Sequence, residues 1–342
     1  MSNFNFNATS DVATASLATH VNTSDRFNFN TTDDEAAAEL AGEIKSKTVI
    51  ITGISPGGLG AEAARAILKQ HPKLLILASR RETSIKEVID KIQKSPDDNV
   101  KALELDLSSL TSVRKAAEKV LQMTPVVDVL INNAAVMMTP EYRTTGEGIE
   151  WHFGLNHIGH FLFTNLIMPA MLKAPNGACV VNISSAGHRA TGVNFDDVNF
   201  NGGKSYDKFL GYAQSKTANI LFSVGLAQKL GHKNIRSFGI DPGAVAGTNL
   251  NRDIPMEELK ARGWWGEDGK PNTKIIPFRS VEQGAANYIV AAFDPSIADQ
   301  SGKCIAACAI DDTAAPHALD KDNAEKLWSL SEKIVGQEFR YD

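Results

Sequence analysis

KTVIITGISPGGLGAEAAR, residues 47–65, is the stretch on which the reading of this chain turns. Thr48, Val49, Ile50 and Ile51 form an apolar, largely β-branched run, the composition of a buried strand. The run breaks into a turn carrying Gly53, Gly57, Gly58 and Gly60, then continues as AEAARAILKQ, which predicts a helix. Strand, glycine turn and helix in that order is the setting in which clustered glycines bind a dinucleotide. Glycine lets the backbone approach a pyrophosphate, and the helix start offers it free N–H groups and a positive dipole end.

Outward from this unit, apolar strand candidates recur at Lys73–Ser79, Val100–Asp106, Val126–Asn132, Ala178–Ser184, Ile235–Ile240 and Gly302–Ala306. Helical stretches lie between them, notably Ser108–Gln122, Gly146–Leu172 and Lys208–Leu230, with Glu282–Phe293 and Asp322–Gly336 near the C-terminus. Pro169 should kink or end its helix. Strands apolar on both faces, alternating with helices, predict a Rossmann-type, doubly wound parallel sheet of about seven strands flanked by helices. Residues 47–342 read as a single domain preceded by an arm, residues 1–46.

The arm contains a duplication. Phe4 to Asp25 aligns without gaps on Phe27 to Thr48, with ten identities in 22 positions. The second copy carries Thr32 and Asp33 as N-cap candidates, acids in the first turn and alanines, and predicts a helix running into the first strand. The first copy has fewer acids and more Thr and Ser, and reads as a redundant, mobile arm. Residues 1–44 hold seven acids and one base, so the whole-chain charge of −5 belongs to this arm and gives no reason to expect nucleic acid. Three cysteines, Cys179, Cys304 and Cys308, suggest a reducing compartment, and their spacing is not that of a zinc site. No apolar run is long enough to span a membrane, and the N-terminus lacks the apolar core of a signal sequence. The expectation is a cytoplasmic protein.

Chemistry-bearing residues cluster in three places. Of five tyrosines, only Tyr212 has a lysine four residues on, Lys216 in YAQSK. On a helix the two share a face, and an ammonium beside a phenol favours phenolate, making Tyr212 a candidate acid–base. Ser184 and Ser185 end a strand, where parallel sheets place ligands. Asn156 sits in LNHIGHF inside a helical stretch that it does not favour. His152, His157 and His160 in the same stretch have no metal-binding pattern, and no metal is expected.

Together these motifs resemble the short-chain dehydrogenase/reductase superfamily, in the branch similar to retinol dehydrogenases and fungal oxidoreductases, over about Lys47 to Val335. The resemblance implies that TGISPGGLG, one residue longer than TGxxxGxG, contacts the cofactor through Gly53, Gly58, Leu59 and Gly60. It implies Asp106 at the adenine, Asn133 and Ala134 of NNAA at the ribose, and Val245 and Thr248 of DPGAVAGT at the nicotinamide carboxamide. It assigns catalysis to Asn156, Ser185, Tyr212 and Lys216: the tyrosine donates a proton, the serine binds the substrate oxygen, the lysine lowers the tyrosine pKa and binds ribose, and the asparagine holds a relay water.

Arg80 lies twenty residues after Gly60, where an acid would bind the ribose 2′-OH of NAD. Here Arg80 or Arg81 could pair a 2′-phosphate, although Glu82 follows, so NADP(H) is expected over NAD(H). The implied activity interconverts an alcohol and a ketone or aldehyde on an apolar small molecule. The alternatives are an extended-branch epimerase or dehydratase, and a redox-sensing cofactor module with little turnover. Trp264 and Trp265, within the irregular stretch Asn251–Ser280, read equally as a pocket wall and as a pinned surface loop. A homodimer or homotetramer is compatible with the resemblance.

Overall fold

A computed structural model describes residues 26–95 and 97–341. The first copy of the duplicated arm lies outside the described residues. In chain order the elements are α1 (Asp33–Glu39, extended by a turn at Ala41–Ile44), β1 (Thr48–Thr52), α2 (Leu59–Leu68), β2 (Leu74–Ser79), α3 (Glu82–Ile92) and β3 (Val100–Glu104). They continue with α4 (Leu110–Met123), β4 (Val129–Asn132), a π-helical turn (Phe153–Ile158), α5 (Gly159–Met171), β5 (Ala178–Ile183), α6 (Lys208–Leu230) and β6 (Ile235–Asp241). The chain ends with α7 (Met256–Ala261), α8 (Val281–Phe293), β7 (Cys304–Ala306), β8 (Ala309–Ile310) and α9 (Lys321–Val335).

The eight strands form one sheet in the order β3-β2-β1-β4-β5-β6-β7-β8. All neighbours are parallel except β7 and β8, which form a terminal antiparallel pair. The two-residue β8 is the strand beyond the expected seven. Side chains alternate between faces along each strand. In β1, Ile50 packs with α4, α5 and α6, whereas Val49 and Ile51 pack with α2 and α8 on the opposite face. Successive strands are added on one side of β1 and then on the other, so the chain reverses direction between β1 and β4. That switch point opens a crevice at the carboxyl ends of the strands.

Helix α1 forms as its capping signals predict: the Thr32 hydroxyl accepts from the Glu35 amide, and the Glu35 carboxylate accepts from the Thr32 amide. Phe27, Ala36, Ala37, Leu40 and Ile44 are buried in the same core layer as α2 and α8. Asp33 and Asp34 each pair with Arg65 of α2 at 2.9 Å. Burial pushes the Asp33 carboxyl up, against that guanidinium.

One expected helix starts later than its sequence pattern suggested. Gly146–Leu172 begins as a turn, with Gly148 at φ +78° and Thr144 bridging Glu150, and becomes helical only at Trp151. The positive φ at Gly148 is incompatible with a right-handed helix. Helix α5 runs through Pro169 and ends two residues later.

The extra residue of the glycine turn has a specific use. Gly58 N donates to Ser55 O at 3.0 Å across Pro56 and Gly57, and Gly57 has φ +73°. Proline followed by a positive-φ glycine is the sequence of a type II turn. Space separates two of these glycines sharply. A methyl group on Gly53 (φ +74°) would lie 2.4 Å from the Ala134 Cα, whereas one on Gly57 meets nothing within 4 Å. Gly53→Ala should therefore lower unfolding free energy by about 3 kcal/mol or more, and Gly57→Ala by about 1 kcal/mol, in denaturant titrations.

Candidate active site

The crevice gathers residues from the ends of β1, β4, β5 and β6 and from α6. Asp207 caps α6 by accepting from the Phe209 and Leu210 amides, and this places Tyr212 and Lys216 on one face of its first turns. Lys216 is 1 % exposed, and its ammonium lies 5.5 Å from the centre of the Tyr212 ring. Its Nζ donates to the Ile183 carbonyl at 2.9 Å, and Asn219 Nδ2 donates to the same oxygen at 2.8 Å. The Ser185 side chain lies close enough to the Tyr212 phenol to lower its pKa, and Ser185 Oγ accepts from the Gly187 amide at 3.2 Å. A methyl group on Gly187 would stand 3.3 Å from the Tyr212 ring and 3.6 Å from Ser185 Oγ, so the serine loop lies directly against the tyrosine.

The loop carrying Ser185 is tied down from behind. His188 Nδ1 donates to the Ser185 carbonyl at 2.7 Å, and its Nε2 accepts from the Ala315 amide at 3.2 Å. Arg189 pairs with Asp311 at 2.7 Å and reaches Asp241 at 3.6 Å. These partners, absent from the sequence reading, come from β6 and the segment after β8, with no signal in local spacing.

Asn156 belongs to the π-helical turn and is completely buried. Its Oδ1 accepts from Val136 N at 2.9 Å, and its Nδ2 donates to Val136 O at 3.0 Å and to Ser215 Oγ at 2.9 Å. Ser215 Oγ in turn donates to the Tyr212 carbonyl at 2.7 Å. The Asn156 side chain thus joins the loop after β4 to α6. Its backbone carbonyl accepts from His160 Nδ1 at 3.0 Å. A carbonyl can only accept, so the proton sits on Nδ1 and Nε2 accepts from the Thr52 hydroxyl at 2.8 Å. The same Thr52 oxygen accepts from the Asn133 and Ala134 amides at 3.0 and 3.1 Å. Of the other two histidines, His157 bonds Ser331, and His152 bridges Glu150 and the Thr139 amide.

The residues expected to contact a dinucleotide fall along the strand ends. Gly58 precedes the first turn of α2 with no side chain capping it. A methyl group on Gly60 would stand 2.6 Å from Asn133 Nδ2. Asn133 itself donates to the carbonyls of Thr52 and Gly53 and accepts from Tyr288, which fixes the turn. Asp106 accepts from the Ser108 amide and hydroxyl. Arg80 and Arg81 are exposed at the end of β2. Val245 bridges Arg279, and Gly284 at the start of α8 lies against both Leu59 and Val245. Thr248 ends this loop, before a short 3-10 turn. A narrow glycine cradle over an uncapped helix start, open at Gly57, fits a dinucleotide pyrophosphate.

Electrostatics differ from the expectation of a depressed phenol pKa. Burial pushes Tyr212 up to about 12, against the lowering effect of Ser185, and pushes Lys216 down to about 7, partly offset by Asp241. Desolvation disfavours both charged forms here and is the largest cause of each shift. A lysine whose folded pKa lies below its unfolded value leaves the unfolded chain holding more protons, so its contribution to stability rises with pH from about 7 towards 10.5. Measured from pH 7 to 9, the wild type should gain about 2 kcal/mol of unfolding free energy relative to Lys216→Met. Equal slopes for the two proteins would contradict this burial of the amine.

Similarity to known proteins agrees with this geometry. A short chain dehydrogenase family profile matches residues 47–197. Human retinol dehydrogenase 14 is 35 % identical over 312 residues, covering 86 % of this chain and 88 % of the relative. The short-chain dehydrogenase/reductase prx1 of Penicillium rubens is 32 % identical over 305 residues, covering 85 % and 86 %. Among solved structures, an uncharacterised protein from Mycobacterium paratuberculosis superposes with a TM-score of 0.66 at 29 % identity, covering 87 % of this chain and 96 % of that one. The parallel sheet, its switch point and these relatives together place the chain in the short-chain dehydrogenase/reductase family of oxidoreductases, in a branch like that of the retinol dehydrogenases.

Proposed function

We propose that this protein is an NADP(H)-dependent oxidoreductase that interconverts an apolar alcohol with its ketone or aldehyde, using Tyr212 as the acid–base. The observation that carries the reading is the Tyr212 phenol ring with the Lys216 ammonium 5.5 Å from its centre and the Ser185 loop packed against it. Gly53, Gly58, Leu59, Gly60, Asp106, Asn133, Val245 and Thr248 would hold the dinucleotide, which when bound supplies or accepts a hydride.

In the reducing direction the substrate oxygen takes up a place between the Ser185 hydroxyl and the Tyr212 phenol. Ser185 donates a hydrogen bond to the oxygen as negative charge develops there. Tyr212, neutral through the physiological range because burial raises its pKa, gives up its proton to that oxygen. The phenolate left behind is stabilised by the Lys216 ammonium, whose pKa of about 7 lets it part with a proton near neutrality and restore the phenol. Asn156 acts as a positioning residue, since its amide holds the loop after β4 against α6.

Met138, Ile254, Leu259, Trp264 and Trp265 cluster with Tyr212 and support an apolar substrate, as do relatives named for retinol, an apolar alcohol. The two tryptophans therefore read as pocket wall. Three buried, unpaired cysteines suit a reducing compartment such as the cytoplasm.

Tyr212→Phe should reduce turnover of a hydrophobic carbonyl by about 1000-fold or more while leaving NADPH binding within about threefold, read by absorbance and by fluorescence titration. Activity equal to wild type would remove Tyr212 from the mechanism. Arg80→Ala combined with Arg81→Ala should weaken NADPH at least about tenfold and NADH little, because only the former carries a 2′-phosphate. Equal affinity of the wild type for NADH and NADPH would contradict the cofactor assignment.

A further inference from the structure

The groove that receives the second copy of the duplicated segment is built for a pattern that this chain contains twice. Between Phe27 and Ile44, the side chains turned towards the domain include Phe27, Phe29, Ala36, Leu40 and Ile44. Phe27, Ala36, Leu40 and Ile44 are buried against α2 and α8. Phe29 covers the guanidinium of Arg279 at 4.2 Å. That guanidinium is buried, and none of its nitrogens has a hydrogen-bond partner among the described residues, so the aromatic face is its principal close contact. Arg279 also bridges Val245, in the loop after β6.

Twenty-three residues upstream, the sequence places Phe4, Phe6, Ala13, Leu17 and Val21 at the equivalent positions. Thr9 stands for the capping Thr32, and Asp11 for Asp34, which pairs with Arg65 and Lys69 at 2.9 Å. The substitutions Glu39 to Ser16, Gly42 to Thr19 and Glu43 to His20 fall where the second copy is exposed. The five inward apolar positions thus keep apolar side chains in the first copy, which lets it present the same face, although the buried Thr31 and Asp33 become Ala8 and Ser10.

We propose that Phe4–Val21 is a second occupant of this groove, able to replace Phe27–Ile44 within the same chain. The second copy is the resident one for stated reasons. It runs directly into β1, it has Asp33 on Arg65 where the first copy has Ser10, and its capping box uses Glu35 where the first copy has Val12. Thr14 also stands where Ala37 is fully buried. When the resident is weakened, the tethered first copy is present at high effective concentration and takes its place. The partner that this surface fits is therefore a segment with two phenylalanines two residues apart ahead of a small-residue helix, supplied in duplicate by the chain itself.

The test uses the full chain and its thermal midpoint. Leu40→Asp should lower the midpoint by about 3 °C or less, Leu17→Asp should leave it unchanged, and the double variant should lose about 8 °C or more. Leu40→Ala and Leu17→Ala, which leave no buried charge, should show the same non-additive pattern at smaller size. Loss in Leu40→Asp equal to loss in the double variant overturns the proposal. A midpoint that depends on protein concentration, or a doubled particle mass in Leu40→Asp alone, also overturns it, because the upstream copy would then be docking on a second chain.

Discussion

The Thr52 hydroxyl is the knot on which the site depends. It lies at the end of β1, accepts the amides of Asn133 and Ala134 at the end of β4, and donates to His160. His160 holds the carbonyl of Asn156, whose side chain holds Val136 and Ser215, and Ser215 holds the carbonyl of Tyr212. Every group in this series is buried or nearly so, where a missing partner costs the full desolvation of the one left behind. The glycine turn and the helix bearing Tyr212 are therefore set relative to each other by hydrogen bonds with little freedom. The π-helical turn has a purpose in this arrangement: it places Asn156 in the interior, facing the loop after β4. Widened helical turns of this kind often occur at functional sites.

A second constraint is the burial of charge. Lys216 is enclosed near the end of β5, with the Ile183 carbonyl accepting its hydrogen bond and Asp241 adding a favourable field. The cost of that burial brings the amine down into the neutral range and the phenol up out of it. The same physics keeps the Tyr212 phenol protonated in its resting form. Neutral histidines complete the picture: burial pushes His157 and His160 well below their ordinary values, which keeps each neutral, and His160 joins Thr52 to the Asn156 carbonyl.

The N-terminal segment is part of the same economy. Its helix closes the core layer over α2 and α8, and its Phe29 shields a guanidinium that would otherwise lie buried with little to face. Because Arg279 joins Val245 and Gly284 lies against Leu59, this segment sits behind the strand-end loops that carry the crevice.

Much of this was legible in the chain itself. The run Thr48–Ile51 and its glycine turn announced a strand, a cradle and a helix, because β-branched apolar runs and clustered glycines act over a few residues. Lys208–Leu230 and Val281–Phe293 were read to within a residue for the same reason, local periodicity with a cap in front. The spacing of Tyr212 and Lys216 put them on one face before any tertiary information was needed. Other features could come only from the folded chain. The start of the helix at Trp151 depends on a positive-φ turn at Gly148, which the surrounding pattern hides. Asp241, Asp311, Ala315 and Arg279 join the site from distant strands and loops, and nothing in local spacing marks them. The direction of the Tyr212 and Lys216 shifts was also tertiary. Sequence supplied the proximity of a cation to a phenol, but desolvation is set by everything packed around them, and in this fold it is the larger effect.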